Sequence, residues 1–116
     1  MDPQMVQAYR TIGWLEQSQG LSDFLSGDFE AAKFHLGKAE EAAMGIMPQD
    51  GWGLALRGYC AKTRGQIAGA EGRAKQRQKR YAEAADFFLE SLQLNPNNAE
   101  AFNGLGNVYI TLENYD

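Results

Sequence analysis

Histidine and cysteine each occur once in the 116 residues, as His35 and Cys60. A single thiol excludes an intrachain disulfide, and one histidine with one cysteine cannot supply the ligands of a zinc site. Proline occurs three times, and with thirteen glycines the turn punctuation fits a helical chain better than an all-β one. No stretch approaches the roughly 20 apolar residues of a membrane span, and Met1-Asp2-Pro3 does not open a basic segment followed by an apolar one. The expected compartment is the cytoplasm, unless a targeting segment precedes the sequence. Lysine and arginine are missing after Arg80. What remains, 44% apolar and 22% charged residues, describes one soluble domain able to bury a core, too short for a second.

The net charge of −4 hides a segregation. Residues 1–56 hold three bases against eight acids, residues 57–80 hold eight bases against Glu71, and residues 81–116 hold six acids alone. The basic candidates Arg73, Lys75, Arg77, Lys79 and Arg80 therefore lie between two acidic arms. One reading is a solvated helix neutralised by its neighbours. Another is a surface for an anionic partner. A third has the basic helix of one subunit meet an acidic arm of another. Overall acidity, and the lack of aromatics between Arg73 and Arg80, argue against nucleic acid.

No catalytic constellation stands out. His35 sits beside Leu36 with no nucleophile at a useful spacing and reads as structural or exposed. Gly104-Leu105-Gly106 lacks the third glycine and the preceding strand of a dinucleotide loop, and no G-x4-G-K-[ST] loop occurs. Glu30, Glu40 and Glu41 read as surface carboxylates. Cys60 reads as a small buried hydrophobe. The chain is expected to be neither an enzyme nor a holder of metal or cofactor.

Three repeating patterns remain. Phe102-Asn103-Gly104-Leu105-Gly106-Asn107-Val108-Tyr109 places an aromatic, then Leu-Gly, then Tyr at the spacing W-x2-L-G-x2-Y, with Phe for Trp. Tyr81, Ala84, Phe88 and Pro96 follow the aromatic, small, A-x3-F and closing proline of a second helix, and Asn95-Pro96-Asn97-Asn98 makes a turn. Upstream, Gly27-Asp28-Phe29-Glu30-Ala31-Ala32 and the inward stripe Phe29, Ala32, Leu36, Ala39, Ala43 form a weaker copy. A faint middle copy follows Pro48, with Leu54, Gly58, Gly65-Gln66-Ile67 and Ala70.

These residues resemble the tetratricopeptide repeat (TPR) family. The resemblance implies an all-α, right-handed superhelical stack of antiparallel helix pairs, an α-solenoid in one domain. Repeat 1 would span about 4–46, an irregular repeat 2 about 49–96, and a partial repeat 3, helix A only, 99–116. Pro48 and Pro96 lie 48 residues apart, about fourteen more than the 34-residue unit allows. Ile67, Ala70, Ala74, Gln78, Tyr81, Ala85, Phe88 and Leu92 hold one helical phase, so an extended helix over 66–94 is expected; the alternative is 50–78 followed by 80–94. The five expected helices are 4–26, 28–45, 50–64, 66–94 and 99–113.

The resemblance also implies a noncatalytic interaction module that holds a peptide or protein segment on its A helices. Counting in the family's register places Trp14 and Gln17 of the first repeat, Trp52, Tyr59 and Lys62 of the second, and Asn103 and Asn107 of the third in that groove. Leu21, Phe24 and Leu25 at the remaining first-repeat positions are apolar enough to imply a covered groove. The two tryptophans fall at the same register position, as groove anchors or as core. Of the basic clamp with which some family members hold a C-terminal carboxylate, only Lys62 is well placed. Phe102, Leu105, Tyr109 and Leu112 are ready to pack on a following helix, expected to begin at Tyr115-Asp116. The sequence either continues in a longer array or that face meets another subunit, as a dimer or longer assembly.

Overall fold

The computed structural model describes residues 1–114. Five helices, α1 (Pro3–Leu25), α2 (Phe29–Met44), α3 (Gly51–Ala70), α4 (Ala74–Leu94) and α5 (Ala99–Asn114), account for nearly all of it, and no strand forms among the described residues. Tyr115 and Asp116, the expected start of a following helix, lie outside the described residues.

Side chains written into the sequence set the helix starts. Asp2, Asp28, Asp50 and Asn98 each accept a hydrogen bond from a backbone N–H two or three residues on, and Pro3 occupies the first position of α1, where no donor is needed. Two helix ends are the same motif. Gly27 and Gly72 take φ values of +88° and +80°, a conformation open to glycine without strain. Gly27 N–H bonds to Phe24 O and Asp28 N–H to Asp23 O; Gly72 N–H bonds to Gly69 O and Arg73 N–H to Ala68 O. These are paired Schellman closures.

The second closure corrects the expected extended helix over 66–94, and equally the alternative break near 79. Gly72 ends α3 and α4 begins at Ala74, so the surplus residues are shared between two helices of 20 and 21 residues. The uninterrupted helical phase across 66–94 fails as a guide because a Schellman turn can restart a helix with its inward face preserved.

The matching closures recur at a longer spacing than the 34-residue period. Gly13, Gly20 and Gly27 precede Gly58, Gly65 and Gly72 by 45 residues each, as Pro3-Gln4 precedes Pro48-Gln49. The contacts repeat with them: a Cβ on Gly20 would meet Leu36, and one on Gly65 would meet Tyr81, 45 residues after Leu36. Both helix pairs are therefore units of similar length, each longer than a 34-residue repeat.

α1 pairs with α2 and α3 with α4, while α5 packs on α4 and α3; α1 touches α3 and α3 touches α5, but α2 and α4 do not meet among the described residues. α1, α3 and α5 therefore form a layer of A helices, with the B helices α2 and α4 behind. α3 is central. Leu56, Cys60 and Ile67 face Leu36, Ala39 and Ala43 of α2, and Ala55 and Ala61 join Tyr81, Ala84 and Phe88 of α4 with Ala101 and Val108 of α5. Phe88 is fully buried, a burial that contributes about 2–3 kcal/mol. Its ring lies between Gly58 of α3 and Gly104 of α5, where an added Cβ would come to 2.6 and 2.4 Å of it. At the same corner buried Ser91 donates to Gly51 O and accepts from Asn98 Nδ2, so the end of α4 is tied to the starts of α3 and α5.

Candidate functional site

The A-helix face carries the cavities that matter. One of about 400 Å³ is lined by Gln7, Arg10, Thr11, Trp14, Leu15 and Trp52. A neighbour of about 670 Å³ shares Arg10 and Trp52 and extends over Asp50, Asn97, Asn98 and Glu100 at the starts of α3 and α5. A third, of about 590 Å³, lies at the far end of the same layer, between Phe24, Gln66, Gly69, Arg77 and Thr111. Glu100, Asn103, Asn107 and Thr111 fall on one face of α5 at helical spacing. The two exposed asparagines thus stand between the cavity at Glu100 and the one at Thr111, and line neither.

The groove residues expected from sequence are distributed unevenly. Trp14 is exposed and Trp52 half-buried, the latter packed on the α2–α3 core. They share a cavity without sharing a register, because the 45-residue offset pairs Trp14 with Tyr59. Tyr59 is half-buried; its hydroxyl donates to Glu100 O at 2.7 Å and its ring stands edge-on to Phe88 at 5.1 Å. It fastens α3 to α5, and burial with the nearby Glu100 charge raises its pKa. Gln17 is buried, at 6% exposure, in the inward seam of α1 with Gly13 and Gly20. That burial, and not a shift of register, takes it out of the open groove expected for it. Phe24 stacks on Phe29 at 5.8 Å, whereas Leu25 is exposed.

Charge on this face is sparse. Arg10 donates to Asp50 at 2.7 Å, so that cation is already engaged. Lys62 of α3 is half-buried and lines none of these three cavities, and burial lowers its pKa. Sequence reasoning missed Arg10 and the Asn97–Asn98 turn. No periodicity marks Arg10, since the 45-residue offset sets it level with Ala55, which is buried in the core.

The five basic candidates do not share a surface. Residues two apart on a helix point about 200° from each other, so the alternation Arg73, Lys75, Arg77, Lys79 disperses. Arg77 lies over Gly69 and lines the far groove cavity. Arg80 reaches Glu83 at 3.4 Å, and Arg73 lies 3.9 Å from Glu71. Upstream, Arg64 makes a two-pronged pair with Glu40 at 2.7 and 2.9 Å, Arg57 stacks on Phe87 at 4.4 Å, and Glu71 accepts from Lys33 at 2.9 Å. Of the five, Lys75 and Lys79 alone are exposed and make no ion pair with another described residue.

At the far end of the stack, Phe102 and Tyr109 are exposed while Leu105 and Leu112 are half-buried against the α3–α4 core. His35 lies 2.6 Å from Glu16 and 3.8 Å from Asp23, linking α2 to α1. Cys60 is fully buried, and its thiol is pushed far up by burial and by Glu40. Among the described residues no group of three or more His, Cys, Asp and Glu side chains gathers to hold a metal, and no helix is long and apolar enough to cross a membrane.

The fold is an all-helical repeat stack with an open face on its A helices. A family model described as TPR repeat matches residues 72–112, a stretch that covers α4 and most of α5. Such repeats are in general noncatalytic modules for protein–protein interaction. Comparison with curated proteins finds no match, and neither does comparison with solved structures.

Proposed function

We propose that this protein is a noncatalytic adaptor or scaffold that binds an extended peptide or protein segment along its A-helix face. The observation that carries this reading is that Trp14 and Trp52, from two different helices, line one cavity that continues through Arg10 into the turn before α5. Partly open aromatics beside polar groups are what a recognition groove needs: apolar area at low entropic cost and amides that both donate and accept. Asn103 and Asn107 extend the track, each able to satisfy both backbone groups of a strand-like ligand. With Arg10 held by Asp50, Lys62 remains as a cation for a carboxylate of the ligand.

Panning a library of random peptides of about twelve residues against the protein tests this. Enriched peptides should quench or shift tryptophan emission and lose at least about tenfold in affinity on Trp14→Ala or on Asn103→Ala with Asn107→Ala. Enriched peptides that bind both variants as tightly as the parent would place recognition elsewhere.

A further inference from the structure

The outward face of α4 carries charges that nothing in the chain answers. Lys75, Lys79, Ala82, Asp86 and Glu90 are all exposed. Their spacing of 4, 3, 4 and 4 sets them in one stripe along the helix, opposite Tyr81, Ala84 and Phe88, which face the core. None of the four charged residues makes an ion pair or hydrogen bond to another described residue. Glu83, near the middle, turns aside to Arg80. The stripe is positive in its first half and negative in its second, with the small Ala82 between.

Such a stripe is its own complement when reversed. Lay a second α4 antiparallel across the first, with the two-fold axis between residues 82 and 83. Lys75 then faces Glu90 of the other copy, Lys79 faces Asp86, and both pairs recur on the far side of the axis. At the crossing Ala82 lets the backbones approach. An interface in which the same patch meets itself is what two-fold symmetry requires. We propose that this protein forms a weak, salt-sensitive antiparallel dimer through the outward face of α4, the occupant of that face being a second copy of the chain. The contact lies on the B-helix side, so each copy keeps its A-helix groove open and the pair is bivalent.

Charge reversal tests the register. Sedimentation equilibrium of the whole chain at low salt should show a dimer whose dissociation constant rises about tenfold or more toward 0.5 M salt. Lys75→Glu with Lys79→Glu makes the stripe wholly acidic, and Asp86→Lys with Glu90→Lys makes it wholly basic. Each variant alone should dissociate at least about tenfold more readily, an equimolar mixture should form a heterodimer, and all four changes in one chain should restore self-association. The exposed positions leave the fold untouched, which circular dichroism checks. A parent that stays monomeric at low salt would overturn the proposal. So would a fully swapped chain that is folded yet monomeric. Loss on reversing the lysines but not the acids would also overturn it, and would assign the lysines to an anionic partner instead.

Discussion

Two glycines on α5, two residues apart, should respond to alanine with opposite sign. In a helix interior Gly→Ala gains about 1 kcal/mol from backbone entropy and propensity. At Gly106 nothing lies within 4 Å of the added methyl, so the gain stands and Tm rises by about 4 °C. At Gly104 the methyl would sit 2.4 Å from the tip of the Phe88 ring and within 2.8 Å of both neighbouring ring carbons. The fully buried ring has little room to retreat, because Gly58 of α3 also closes on it, its own added Cβ coming to 2.6 Å of the ring. Overpacking of this kind costs about 1–3 kcal/mol, which exceeds the propensity gain. Gly104→Ala should therefore lower stability by about 1 kcal/mol, and the two variants should differ by about 2 kcal/mol in urea unfolding followed at 222 nm. Phe88→Leu provides the internal check: combined with Gly104→Ala it should cost less than the sum of the two single changes, by about 0.5 kcal/mol or more. If Gly104→Ala stabilises as much as Gly106→Ala, Phe88 is not clamped between α3 and α5, and the account of how the last helix docks is wrong.

Other consequences can be checked alongside. Gly27→Ala and Gly72→Ala should each cost about 1–2 kcal/mol, and nearly the same amount, since both close a helix with the same two hydrogen bonds; clearly unequal losses would deny the structural repeat. Cys60 should resist a thiol reagent in the native protein at pH 8 and react fully in denaturant, because burial excludes the reagent and disfavours the thiolate; prompt native labelling would contradict its placement. The hydrogen bond from Lys33 holds the Glu71 carboxyl below its ordinary range. Its stabilisation is therefore full above that range and is lost as pH falls through it. Glu71→Gln should flatten the acid limb of the stability profile, and an unchanged limb would show that the Lys33 contact is not made.

Much of the fold was legible before any coordinates. The amphipathic stripe Phe29, Ala32, Leu36, Ala39, Ala43 and the aromatic, small and proline positions of residues 81–109 identify helices that pack in pairs, because a period of 3.6 residues admits one inward face. The Asp and Asn caps mark where helices begin. Break points and register were harder. The phase running through Ile67, Ala70 and Ala74 conceals the turn at Gly72, and a search at 34 residues passes over glycines recurring at 45. The candidate site was legible in part. Trp14 and Trp52 line one cavity, for a reason that is spatial rather than positional, since that cavity is made by residues of α1 and α3.

Sequence alone therefore determined the helices, their inward faces and the family of architecture, since these follow from local propensity and from burying apolar stripes. Tertiary structure decided which charges remain free. Arg10, Arg64 and Glu71 are consumed by partners 24 to 40 residues away, whereas Lys75, Lys79, Asp86 and Glu90 are left facing outward from α4. Composition counts all of these alike, because a formal charge carries no record of what the fold places beside it.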